Sequence, residues 1–180
     1  MGIAMPNMKT GPKGIALIKE FEGLELTAYL CPAKVWTVAH GHTSAAGAPK
    51  VFPGMKVTAA EAEEILKRDL GKYEAAVNSM VNVPLTQEQF DCLVSWCYNV
   101  GPGNFAGSTL LRKLSSGDYA SVPAELNKWT RAGKAILSGL VRRRKAEGAL
   151  WSTKAVPVTA TPPKPSFFAA IAALFKRSAV

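Results

Sequence analysis

Residues 21–43 read FEGLELTAYLCPAKVWTVAHGHT, and the fold turns on this stretch. Before it, Ile15, Leu17, Ile18 and Phe21 recur at helical spacing from about Gly11, and Gly23 can end that helix. After Gly23 the period changes. Leu26, Ala28 and Leu30 alternate with Thr27 and Tyr29, the two-residue rhythm of a half-buried strand. Cys31-Pro32-Ala33-Lys34 supplies a turn, and Val35 to Val38 is β-rich. A helix running straight into short strands around a tight turn predicts a small antiparallel β region near the N-terminus.

Downstream the helical period takes over. Residues 44–57 carry glycine and proline and read as loop. Thr58 with Glu61 fits a capping box, predicting a helix to about Ser79, and Thr86 with Gln89 repeats the signal. The second box opens FDCLVSWCYNV, apolar almost all round and therefore central to a core. Gly101-Pro102-Gly103 breaks that helix. Ser108 can cap TLLRKL, Ser116-Gly117-Asp118 turns the chain, and helices are expected over Ser121–Trp129 and Ile136–Trp151. The fold class is α+β: a small N-terminal antiparallel β region and a mostly helical body over residues 1–153. Residues 154–166 read as a proline-rich linker. Residues 167–180 read as a short apolar and basic helical tail, too short to cross a bilayer but suited to contact with an anionic membrane or outer-membrane lipid.

The totals exclude several classes. A chain of 180 residues, 48% hydrophobic and 19% charged, can bury a core of its own. The formal charge of +9 is lopsided: from Arg142 onward eight Lys/Arg face one acidic residue, Glu147. That field suits an anionic partner. No aromatic and basic platform for nucleic acid accompanies it, so nucleic acid is not expected. Three scattered cysteines make no disulfide framework, and Cys92 and Cys97 are expected in the core. His40 and His42 lack the companions of a zinc site. The N-terminus is too polar for a signal peptide, and no stretch reaches the 18 or more apolar residues of a membrane span. No cofactor is called for, and a monomer is expected.

Glu22 is the first candidate for chemistry. A carboxyl at a helix C-terminus among apolar neighbours is favoured in its protonated form, which can donate to a leaving oxygen. Glu20 and Glu25 compete for that role. The stretch as a whole resembles the active-site region of phage lysozymes of glycoside hydrolase family 24, the T-even phage and lambdoid endolysin type. The similarity continues in LTQEQFDCLVSWCYNVGPGNFAGSTLLRKL and AELNKWTRAGKAILSGLVRRRKAEGALW, in the family's order, over roughly residues 11–153. The family places a catalytic Glu before Gly, an Asp or sometimes Cys nine residues on, and a Thr six further.

The resemblance thus implies a lysozyme-like fold and hydrolysis of the β-1,4 bond between N-acetylmuramic acid and N-acetylglucosamine in bacterial peptidoglycan, for lysis of a phage host. It makes Glu22 the general acid, Cys31 its partner as base, nucleophile or negative charge (with an inert turn cysteine the other reading of that residue), and Thr37 the holder of the attacking water. Thr43, Tyr98 and Ser108 fall where family members line the sugar cleft, although Ser108 also has a capping role to fill. One arginine of Arg142, Arg143 and Arg144 is expected to approach Glu22. His42 matches a structural histidine. The segment VWTVAHGHT departs from the family's usual VWTIGYGHT at Ala39 and His40, which leaves His40 as a surface or cleft residue. The resemblance also implies a protein held in the host cytoplasm until a membrane-hole protein lets it reach the wall. Two other readings stay open: a lytic transglycosylase using the same glutamate, and a non-enzymatic wall-binding and membrane-disrupting protein.

Overall fold

The computed structural model describes residues 7–153, so the linker and tail expected over 154–166 and 167–180 lie outside the described residues. Helix α1 spans Pro12–Glu22, with proline at its first position, where the missing N–H is no loss. Gly23, at φ +74°, ends it. Three strands follow: β1 (Glu25–Leu30), β2 (Trp36–Ala39) and β3 (His42–Thr43). They form one antiparallel sheet in the order β1-β2-β3. Tyr29 pairs with Thr37, and Thr37 with Thr43, so all three hydroxyls lie in one cross-strand row. Residues 44–57 are loop apart from a 3₁₀ turn at Ser44–Ala46 and a bridge from Lys56 back to Thr27.

Both expected capping boxes form. Thr58 opens α2 (Ala59–Met80) and Thr86 opens α3 (Gln87–Val100), each with reciprocal bonds to the third helical residue. Helix α3 packs on α1, α2 and the last helix, α7 (Ser138–Trp151), and buries every residue from Glu88 to Cys97. Around it lies the main core, with Ile18, Leu66, Leu70, Phe90, Trp96, Phe105, Leu114, Leu126 and Trp151. A second, smaller core joins Ala28, Val38 and Ala39 of the sheet to Val51, Val57, Ala62 and Ile65. Helix α2 therefore belongs to both cores: its first turns underlie the sheet and its later turns enter the helical body.

The second half departs from expectation in three places. Gly101-Pro102-Gly103 does end α3, but Pro102 at once starts a short helix, α4 (Pro102–Ala106). Ser108 caps α5 (Thr109–Ser115) as expected. The helix expected over Ser121–Trp129 is only Val122–Leu126 (α6), and a two-stranded hairpin, β4 (Arg131–Ala132) with β5 (Ala135–Ile136), follows it. Helix α7 then starts at Ser138, two residues later than expected, and ends at Trp151. Among the described residues no helix is long and apolar enough to cross a membrane.

Candidate active site

Glu22 is the last residue of α1, and its side chain is 23% exposed. The nearest charge to it is a cation. Arg143 of α7 donates from Nη1 to Glu22 Oε1, which settles which of the three arginines approaches. A helix end and apolar neighbours are therefore only part of the environment expected for Glu22. Arg143 is itself buried, with its guanidinium 5.8 Å from the centre of the Phe21 ring. Its Nη2 donates to the Ser95 carbonyl at 3.1 Å and its Nε to Glu147 Oε1 at 3.2 Å. Glu147 is fully buried and also accepts from Ser95 Oγ at 2.8 Å. Arg144 lies 3.0 Å from the other Glu147 oxygen and donates to Asn99 Oδ1 at 2.7 Å. Burial pushes the Glu147 carboxyl up and the Arg144 guanidinium down, each against the pull of the opposite charge. Glu22 thus ends a column of charge that runs through the helical body. Glu147 was not among the sequence candidates, although its spacing of four from Arg143 and three from Arg144 is a helix-pairing signal.

Cys31 occupies the β1–β2 turn, closed by its own N–H to Val35 O at 3.0 Å and by Lys34 N–H to Cys31 O at 2.8 Å. The backbone N–H of Val35 faces the sulfur and is the main influence holding the thiol below its ordinary range. Slight burial opposes that, while the N–H of Ala33 and the Thr37 hydroxyl add to it. Cys31 and Thr37, six residues apart, meet at the same turn: the Cys31 N–H and the Thr37 hydroxyl both donate to Val35 O. Thr37 is buried, and its one hydroxyl hydrogen goes to Val35 O at 3.0 Å. Thr43 sits beside Thr37 on β3 with its side chain half-buried and no capping bond.

The other candidates are placed differently. Tyr98 is half-buried near Glu22, and its phenol is pushed well up, first by burial and then by the Glu22 charge. Its hydroxyl donates to the His40 carbonyl at 2.9 Å, and its ring tilts against Tyr73 at 4.8 Å. Ser108 spends both hydroxyl functions locally: it accepts from Leu111 N–H at 3.0 Å and donates to Phe105 O at 2.8 Å. Its one hydrogen is thus committed to the helix start. His42 is buried, with Nδ1 2.8 Å from Asp69 Oδ2 and Nε2 2.8 Å from Pro49 O, so both ring nitrogens hold the sheet to α2 and the loop. His40, expected at the surface or in the cleft, is instead 3% exposed with Nδ1 against the Gly23 carbonyl. Thr37, Val38, Ala39 and His40 are buried in succession, and Ala39 at φ +59° breaks the strand alternation just before His40. Cys92 and Cys97 are core residues, and burial pushes the Cys97 thiol up to about 12.

A cavity of about 770 Å³ lies elsewhere, between the loop at Pro49–Val57 and the first turns of α2. Its carboxylates Glu61, Glu63 and Glu64 are already engaged, by the Thr58 cap and by Lys19 and Lys67, and none of Glu22, Cys31 or Thr37 lines it. The chemistry-bearing groups lie instead where the end of α1 meets the sheet.

Known proteins are similar to this chain in sequence and in fold. The profile of the family described as phage lysozyme matches residues 19–147. The endolysin of Acyrthosiphon pisum secondary endosymbiont phage 1 is 42% identical over 150 residues, covering 81% of this chain and 99% of its own. The endolysin of Bacillus phage PZA is 40% identical over 148 residues, and there the chain spans only 56% of the relative's length. Among solved structures, the muramidase domain of SpmX from Asticcacaulis excentricus superposes with a TM-score of 0.75 at 37% identity, covering 81% of this chain and 99% of that one. These matches establish that the chain belongs to the phage lysozyme family.

Proposed function

We infer that this protein is a muramidase of the endolysin type, which hydrolyses the β-1,4 bond from N-acetylmuramic acid to N-acetylglucosamine in peptidoglycan and so lyses a phage host. The observation that carries the reading is that Glu22 ends α1 against Arg143 while Cys31 and Thr37 are folded together in the adjoining sheet. A protonated Glu22 gives its proton to the glycosidic oxygen as the bond to the muramic acid C1 breaks. Water held by the Thr37 hydroxyl attacks that carbon, and its proton passes to the Cys31 thiolate, which the Val35 and Ala33 N–H groups favour. Arg143 remains beside Glu22 and stabilises the carboxylate left after proton transfer. Thr43 and Tyr98 shape the wall that meets the sugars, and Ser108 supports it through its cap.

Digestion of purified peptidoglycan and mass spectrometry of the released fragments tests this. Reducing N-acetylmuramic acid ends are expected from the natural chain and none from Glu22→Gln. Ends in 1,6-anhydro form would make the protein a transglycosylase and leave Cys31 idle. Equal cleavage by Glu22→Gln would remove the acid.

On the same reading, the enzyme stays in the host cytoplasm until a membrane lesion gives it access to the wall. Segment 167–180, with Phe167, Phe168, Ile171, Leu174 and Phe175 followed by Lys176 and Arg177, has the composition for contact with anionic lipid. Leakage from anionic vesicles should then require the full chain, and equal leakage with a chain ending at residue 153 would contradict that contact.

A further inference from the structure

We propose that His40 is a positioning residue: its imidazole clasps the backbone immediately behind Glu22 and so sets the separation between that acid and the Cys31–Thr37 pair. The inference rests on the muramidase reading and deepens it.

A carbonyl oxygen can only accept, so the His40 nitrogen that meets Gly23 O, Nδ1, carries the proton and donates it. The acceptor lies just past the end of α1, where helix geometry supplies carbonyls with no partner. The nearest rung of the β1–β2 ladder is Glu25 with Ala39, and the register is irregular from there to Tyr29. The clasp therefore closes the end of the sheet that faces Glu22. His40 is itself held, because Tyr98 of α3 donates to its carbonyl at 2.9 Å and Tyr98 rests on Tyr73 of α2. One residue thus ties the end of α1 by its side chain and two helices by its backbone.

Its place along the chain gives the tie a consequence. His40 follows Thr37 by three residues, through Val38 and the strained Ala39. Any slip of Gly23 relative to β2 moves Glu22 relative to Thr37 and the water it holds. Misplacement by about 1 Å can cost roughly 10²-fold in rate. Arg143 fixes the carboxylate from the helical body, whereas His40 fixes its backbone from the sheet. A left-handed alanine kept in a buried strand is the kind of local strain that persists when it aims a functional group.

The test uses the full chain with His40→Phe, which keeps a flat ring and removes the donor, and His40→Asn, which keeps an N–H near the Nδ1 position. Two readouts are needed: kcat and KM on soluble peptidoglycan strands, and amide hydrogen exchange at Gly23. His40→Phe should lower kcat by roughly tenfold or more with KM nearly unchanged. Exchange at Gly23 should accelerate while the α3 amides stay protected, and His40→Asn should restore most of both. Unchanged exchange in His40→Phe overturns the clasp whether or not the protein cleaves peptidoglycan. Normal kcat despite faster exchange overturns its role in positioning, and so does equal damage in both variants together with a lowered melting temperature. A natural chain that cleaves nothing sinks the muramidase reading, while the exchange result still decides the clasp.

Discussion

Glu22 and Cys31 stand nine residues apart, and the protein holds them by different means. Glu22 meets a buried column of alternating charge, Arg143–Glu147–Arg144, anchored in α7 and α3. Cys31 sits on a turn and is surrounded by backbone N–H groups and one hydroxyl, with no charged partner among the groups that shift it. The first arrangement is costly to break because removing Glu147, its central ion, leaves Arg144 stranded in the core. The second holds its sulfur through the geometry of one turn and leaves it open to solvent and substrate. On the proposed mechanism, an acid that must keep its place and a thiolate that must meet water call for these two kinds of support.

The comparison breaks most visibly at Glu147. Glu147→Ala leaves the buried Arg144 without a carboxylate and Arg143 with Glu22 alone, and should destabilise the fold by about 3–5 kcal/mol, read from urea unfolding. A cost no larger than that of a surface change would show that the column does not support the helical wall. Cys31→Ala should do the reverse. The urea midpoint should hold, while cleavage falls roughly 10²- to 10⁴-fold, the usual range for loss of a proton-transfer group. Full activity would make Cys31 a bystander.

The pH dependence sharpens the same contrast. If the thiolate takes the proton from water, activity rises as pH climbs through the Cys31 pKa. Because the Val35 N–H and its neighbours hold that pKa down, the rise should fall below the ordinary thiol value of about 8.5. Cys31→Asp should move the acid limb toward about 4 and keep activity at lower pH. An acid limb identical in the two proteins would mean another group sets it. The smallest effect is expected at Ala39. Its φ of +59° costs an alanine what glycine avoids, so Ala39→Gly should stabilise by up to about 1 kcal/mol once the lost methyl burial is set against the relieved strain. A lower melting temperature would show that the methyl outweighs the strain.

What could be read from the sequence was local. Thr58 with Glu61 and Thr86 with Gln89 are contacts three residues apart, and both formed. The alternation from Leu26 to Leu30 marked β1, although only Ala28 of its apolar row is buried while Leu26 and Leu30 are exposed, and Gly23 marked the stop that leaves Glu22 at a helix end. Pro102 misled because proline after glycine reads as a breaker, yet a first helical position needs no N–H. The β4–β5 hairpin has two residues to a strand, too few to show a period. At the site, the resemblance named Glu22, Cys31 and Thr37, but helical spacing could not choose Arg143 from its neighbours. The bonds from His40 to Gly23 and from Tyr98 to His40 end on backbone carbonyls, which every residue carries. Nothing in a side-chain pattern announces such partners.

The most direct test of the account is the anomeric form of the product. Proton NMR, recorded as soluble peptidoglycan strands are cut, distinguishes the two anomers before they equilibrate. If water held by Thr37 and activated by Cys31 attacks the face opposite the leaving sugar, the new N-acetylmuramic acid end appears first as the α anomer. A first product in the β form would mean a covalent intermediate, with Cys31 as nucleophile, and would contradict the division of labour drawn between the two walls.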